Sequence, residues 1–146
     1  MFTPAISPAD PNLIMLNCDM SAAYISKDGG HNWRMIHQAQ LRTDTQCRPG
    51  FHPSDANVIY ASSQGRLKIS RDRGRSFIPI GNLKESLSGE IAINPSDPDI
   101  MLAGTRNGNP LIIHGRFPLK ITFGDLLPEN CTKGCNFHPP GRRPAA

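Results

Sequence analysis

The sequence predicts an all-β fold built from repeated units of about 44 residues. Two unrelated motifs recur at nearly the same spacing along the chain, one of them twice and the other three times. The stretches between them are short and rich in Ile, Leu and Val, as is typical of β-strands. The chain also carries 13 Gly and 14 Pro among 146 residues, which favours many turns over long helices.

The first motif has the pattern S-x-D-x-G-x-x-aromatic. Residues 26–33 read SKDGGHNW and residues 70–77 read SRDRGRSF, so Asp28 and Asp72 are 44 positions apart. A third copy would place its aspartate near position 114 or 115, where the sequence has His114 and Gly115. The motif is therefore absent from the third unit.

The second motif is a proline turn that occurs three times. Residues 7–14 read SPADPNLI, residues 52–59 read HPSDANVI and residues 94–101 read NPSDPDIM. Two independent motifs that share one period indicate a true internal repeat. We therefore expect three units that begin in the same way.

A period of this length fits either a solenoid of helix pairs or the four-stranded blade of a β-propeller. No window of ten or more residues carries an apolar stripe at helical spacing, so the blade is favoured. We predict an all-β, partial β-propeller of four-stranded antiparallel blades, about two and a half in number. The boundaries are 1–43 for the first blade, 44–86 for the second, 87–109 for the start of the third, and 110–146 for an irregular or disordered tail.

The S-x-D-x-G-x-x-aromatic motif resembles the Asp-box, or BNR repeat, of sialidases, sortilin-like receptors and several glycosidase propellers. In that family the box forms the turn between the third and fourth strands of a blade. The resemblance implies a structural role for each matched position: the Asp accepts hydrogen bonds from turn amides, Gly supplies positive φ and the aromatic packs into the blade. The matched residues are Ser26, Asp28, Gly30, Trp33, Ser70, Asp72, Gly74 and Phe77. We expect Trp33 and Phe77 to be buried in equivalent positions.

Asp19 is the best candidate for a functional residue. The loops between the second and third strands of each blade lie opposite the Asp-boxes, and only the first of these loops contains an acid. Residues 19–24, DMSAAY, are similar to the D-[VI]-G-G-A-Y stretch of xyloglucanase-like endoglucanases, in which the Asp is the general base. Ser21 and Ala22 replace both glycines, and no second acid stands in a comparable loop. The alternative is a structural Asp that caps the loop.

Charge and cysteine content argue against several other classes. The net charge is +4, and the cluster of Arg71, Arg73 and Arg75 lacks interleaved aromatic residues, so we expect no nucleic-acid partner.

No stretch reaches membrane-spanning length and no signal peptide is visible; a secreted parent would carry its leader upstream. Zinc needs four ligands, which usually come as two closely spaced pairs. The sequence offers only one such pair, Cys131 and Cys135, followed by His138. We expect no metal and no cofactor.

Two functions of different classes remain. One is a fragment of a glycosidase-like parent that is inactive alone, because a lone carboxylate cannot act as both acid and base. The alternative is a non-catalytic Asp-box module that binds protein or glycan, like sortilin-like receptors or photosystem assembly factors. In both cases the open faces of the end blades favour self-association.

Overall fold

A computed structural model describes residues 2–18, 22–42, 48–81, 86–114 and 120–122. Within these residues the chain is all β, with three four-stranded sheets in which strands follow one another in chain order. All neighbouring strands run antiparallel.

Each sheet contains one repeat unit. The first consists of β1 (Phe2–Ile6), β2 (Ile14–Cys18), β3 (Ala23–Ser26) and β4 (Arg34–Met35). The second consists of β5 (Gly50–Phe51), β6 (Ile59–Ser63), β7 (Arg66–Ser70) and β8 (Ile78–Pro79). The third consists of β9 (Leu87–Ile93), β10 (Ile100–Thr105), β11 (Pro110–His114) and β12 (Lys120–Thr122).

The third sheet extends further than the sequence predicted. Residues from 110 onward were expected to be irregular, yet β11 pairs with β10 over five residue pairs and β12 pairs with β11. The missing S-x-D-x-G turn does not prevent pairing, because β11 keeps the alternation of a half-buried strand. Leu111 and Ile113 are buried and Ile112 is partly exposed. The remainder of the expected tail, 123–146, lies outside the described residues.

The proline turns connect the first and second strands of all three sheets with one hydrogen-bond pattern. In each, the amide that follows the turn donates to the carbonyl of the turn aspartate three residues earlier. The bonds are Leu13 N to Asp10 O at 2.9 Å, Val58 N to Asp55 O at 3.1 Å, and Ile100 N to Asp97 O at 2.9 Å. The turn carboxylate also accepts an amide hydrogen bond, as from Asn12 to Asp10 Oδ1 at 3.0 Å. The repeated residues therefore build repeated structure.

The sheets are stacked face to face, and their first strands, β1, β5 and β9, lie beside one another. Two apolar cores fill the spaces between them. The core between the first and second sheets includes Met15, Ile25, Ile59 and Phe77, and the core between the second and third includes Tyr60, Ile69, Ile91 and Met101. The second sheet is the only one of the three with a described neighbour on both faces.

The expected burial of Trp33 is wrong, although that of Phe77 is correct. Phe77 is 5% exposed and Trp33 is 42% exposed, even though they occupy equivalent positions in their units. Phe77 packs into the core between the first two sheets. Trp33 belongs to the first sheet, which has no preceding sheet among the described residues. The aromatic position is buried by a preceding sheet, and not within its own blade.

This difference predicts unequal effects of truncation. Phe77→Ala should lower the free energy of unfolding by about 3–5 kcal/mol, because it leaves a cavity between two sheets. Trp33→Ala should lower it by about 1 kcal/mol, because its ring is already in contact with water and the main loss is one hydrogen bond. Urea unfolding of both variants in dilute solution measures the two values. Equal losses would contradict the placement of these aromatic side chains.

Candidate functional site

The first S-x-D-x-G turn is built around the carboxylate of Asp28. Asn32 donates to it twice, from its backbone amide to Oδ1 at 2.9 Å and from its side-chain amide to Oδ2 at 2.7 Å. Ser26 Oγ donates to Oδ1 at 2.7 Å and accepts from the amide of Gly30 at 2.8 Å. Gly30 has a φ of 95°, which a residue with a Cβ rarely adopts. The turn thus joins β3 to β4 as one hydrogen-bonded unit.

The second turn repeats this arrangement around Asp72. Ser70 Oγ donates to Asp72 Oδ1 at 2.7 Å and accepts from the amide of Gly74 at 2.8 Å. Ser76 takes the place of Asn32 and donates from its amide at 2.9 Å and from its hydroxyl at 2.6 Å. Asn and Ser are interchangeable here because both offer a short side-chain donor.

These hydrogen bonds keep both carboxylates ionised. Donation by the Asn32 backbone and side chain lowers the pKa of Asp28 from 3.8 to about 2. Burial acts to raise the pKa of Asp72, but hydrogen bonds from Ser76 and Ser70 outweigh it and bring the pKa to about 2 as well. An acid this strong has no proton to donate near neutral pH, so neither residue suits a general acid.

The second turn also connects two sheets. The guanidinium of Arg34, in β4, donates to the carbonyl of Gly74 at 2.5 Å. Arg73 forms an ion pair with Asp10 in the proline turn of the first unit. A Cβ at Gly74 would overlap the terminal methyl of Ile25, so glycine is needed for the close approach. The second turn therefore connects the second sheet to the first, which is a structural role.

Asp19 lies outside the described residues, but the strands on both sides of it are described. Cys18 N donates to Ala22 O at 3.1 Å, and β2 and β3 pair Leu16 with Tyr24. β2 and β3 therefore pair up to the end of the first sheet opposite the S-x-D-x-G turn, and Asp19 lies between these two strands in the sequence. The equivalent hairpin of the second sheet turns through Gln64 and Gly65, both with positive φ, and offers no acid.

A cleft that the sequence analysis missed runs along the three first strands. Its volume is about 580 Å³, and its walls are rich in proline. The lining includes two sets of positions that are equivalent in the repeat, Pro4 with Pro49 and Pro8 with Pro53 and Pro95. Arg48 contributes a positive charge to the cleft. Its Nε donates a hydrogen bond to Pro4 O at 3.1 Å, and its guanidinium forms an ion pair with the Glu90 carboxylate at 3.4 Å. The recurrence of these prolines was the signal that could have indicated a shared surface.

The described residues place few ionisable side chains in this cleft. The cleft contains one cationic side chain and an apolar wall, with no pair of carboxylates. No group of three or more His, Cys, Asp or Glu is placed to hold a metal ion in the part of the chain that the structure describes. No described helix is long and apolar enough to cross a membrane. Cys131, Cys135 and His138 lie outside the described residues.

No family model and no curated protein matches the chain, but solved structures do. A GH74 xyloglucanase from Xanthomonas campestris matches 82% of this chain with a TM-score of 0.62 and 20% identity. A GH74 enzyme from Niastella koreensis matches 82% with a TM-score of 0.65 and 15% identity. YCF48 from Cyanidioschyzon merolae matches 83% with a TM-score of 0.58 and 17% identity. The three sheets form part of a β-propeller.

The propeller neighbours are much longer than this chain. The matched region covers 20% of each of these two GH74 proteins and 36% of YCF48. At such low identity the similarity shows the fold and leaves function to be argued from the site.

The low carboxylate pKa values predict a specific loss of stability in acid. Asp28 and Asp72 have a pKa of about 2 in the fold against 3.8 ordinarily, so the unfolded chain takes up their protons at higher pH. Their contribution to stability is fully present above about pH 4 and is lost as the pH falls toward 2. We expect the double variant Asp28→Asn, Asp72→Asn to be less stable at neutral pH and to lose less stability on acidification.

Denaturant unfolding between pH 2.5 and 6 checks this expectation. Glu90→Gln is the control, because it removes an exposed carboxylate that is outside the turns. Identical pH slopes for the wild type and the double variant would contradict the proposed role of the turn carboxylates.

Proposed function

We propose that this chain supplies consecutive blades of a glycan-cleaving propeller of the GH74 type, with Asp19 as its general base, and that it is inactive alone. The main support is that Asp19 lies in the sequence between β2 and β3, whose pairing runs to the end of the first sheet opposite the S-x-D-x-G turn. Loops at that end of a blade are free to form a cleft. The fold similarity to two GH74 enzymes agrees with this assignment.

The proposal requires a second carboxylate from elsewhere. Inverting glycosidases place two carboxyl groups about 6.5–9.5 Å apart, one as the acid and one as the base. Asp28 and Asp72 do not meet this need, because they lie at the opposite end of their sheets and are held ionised. The hairpins equivalent to that of Asp19 contain no acid. The acid would therefore come from outside these three blades.

We also propose that the two S-x-D-x-G turns are Asp-boxes. Both join the third strand to the fourth, and both hold an Asp by hydrogen bonds from a Ser two residues before and a donor four residues after. The second turn also contacts the first sheet, through Arg34 and Ile25, which gives it a structural role. They contribute no chemistry to the glycan site.

A binding module without catalysis is the second candidate. It is supported by the proline-rich cleft with Arg48, which offers an apolar surface and a cation but no acid–base pair. A protein segment would be the expected ligand of such a cleft.

Titration with β-1,4-glucan oligosaccharides distinguishes the two candidates. NMR signals of residues that flank Asp19, such as Cys18, Ala22 and Tyr24, should shift, while no reducing ends are released. α-Glucan oligosaccharides serve as the control and should cause no shift. Asp19→Asn should retain binding, because a general base contacts the attacking water more than the sugar.

One result would contradict the glycosidase assignment, and another would contradict the proposal that the chain is inactive alone. Absence of any shift with β-glucans at millimolar concentration favours the protein-binding module. Release of reducing sugar that Asp19→Asn abolishes would show that the chain is active by itself, and the proposed need for further blades would be wrong.

A further inference from the structure

Each sheet in this chain has two distinct faces. We call the side that packs on the preceding sheet the leading face, and the side that packs on the following sheet the trailing face. The leading face of the second sheet contains Phe51, Ile59, Ala61 and Phe77, all of which are at most 8% exposed. The trailing face of the first sheet, with Met15 and Ile25, covers it.

The leading face of the first sheet has equivalent residues but no described neighbour. Strand register places Ile6 beside Ile14, as Phe51 is placed beside Ile59. Ile6 is 61% exposed where Phe51 is 8% exposed, and Trp33 is 42% exposed where Phe77 is 5% exposed. These large apolar side chains are therefore exposed at positions that the fold otherwise buries.

The trailing face of the third sheet is open in a matching way. Leu102 pairs with Ile112 in the same register as Met15 with Ile25 and Tyr60 with Ile69. Leu102 is 45% exposed, whereas Met15 and Tyr60 are 0% and 8% exposed. Among the described residues, the leading face of the first sheet and the trailing face of the third sheet are thus both uncovered.

We propose that a second copy of this chain binds head to tail, with the trailing face of its third sheet on the leading face of the first sheet. The chain already makes this type of contact twice, between its own sheets, so the two open faces belong to one complementary pair. This inference is independent of the proposed glycan chemistry.

The glycines of the two turns support the fit. At Gly74 the space beside the backbone is filled by the terminal methyl of Ile25 from the preceding sheet. At Gly30 the nearest atoms belong to Trp33 and Ile14 of its own sheet, at 3.7 Å and 4.0 Å from a Cβ placed there. Ile112, which is equivalent to Ile25 in register, would fill this space from a second copy.

A head-to-tail contact makes a prediction that a symmetric contact does not. The leading and trailing faces differ, so a charge introduced on either face should block self-association. When a chain altered on its leading face is mixed with a chain altered on its trailing face, one unaltered face of each kind remains, and these two can bind. Ile6→Glu disables the leading face and Leu102→Glu the trailing face. Met35→Glu is the control on the same sheet: Met35 is 53% exposed, but its equivalent, Pro79, is exposed even in the covered second sheet.

Analytical ultracentrifugation across a range of concentrations measures the outcome. The wild type and Met35→Glu should exceed the monomer mass of 16.0 kDa as concentration rises. Ile6→Glu and Leu102→Glu should each associate at least tenfold more weakly, and their equimolar mixture should form a 1:1 complex. Trp33→Ser and Ile112→Ser replace these variants if circular dichroism shows that either glutamate variant is unfolded.

Four results would overturn the proposal. A monomeric wild type at all concentrations would show that the two faces do not bind each other between copies of this chain. Undiminished self-association of either glutamate variant would indicate a symmetric contact, and failure of the mixed variants to form a complex would show that the two faces do not bind each other. Equal weakening by Met35→Glu would indicate non-specific aggregation.

Discussion

The packing of one sheet's trailing face on the next sheet's leading face is the contact on which the rest of this structure depends. Single four-stranded sheets of this size have too little apolar surface to be stable alone, so each unit requires a neighbour. The buried residues at this contact include members of β2, β3, β5 and β6 and the aromatic that follows the second turn. Burial of apolar surface contributes about 25 cal/mol per Å², which makes an uncovered face a strong site for association.

The S-x-D-x-G turn supports this packing by aiming its glycine and aromatic at the preceding sheet. Hydrogen bonds from three groups, the Ser70 hydroxyl and the amide and hydroxyl of Ser76, hold the carboxylate of Asp72. The turn brings Gly74 against Ile25 and within reach of Arg34. The same geometry at Asp28 has no described partner sheet. In the second unit, the motif is thus a local turn whose glycine contacts the preceding sheet, and its aspartate accepts the hydrogen bonds that hold the turn.

Local features of this fold could be predicted from the sequence, while features that depend on neighbouring sheets could not. The proline turns and the S-x-D-x-G turns follow from residues within eight positions, so their place between strands was predictable. The exposure of Trp33 was not, because this aromatic position is buried only by a preceding sheet, and the described residues contain none before the first unit. β11 and β12 were missed because the absent turn motif was treated as the end of the repeat. The cleft beside Arg48 arises only where three first strands meet, and the surroundings of Asp19 remain a prediction.

Native-state amide hydrogen exchange, in dilute solution, tests most directly whether each sheet depends on its neighbours. The second sheet is covered on both faces, so amides of β6 and β7 should be the most protected, and those of β2, β3, β10 and β11 should exchange faster through local opening of the end sheets. Equal protection of all three sheets, or greatest protection in the first, would show that the sheets are stable individually and would contradict this account.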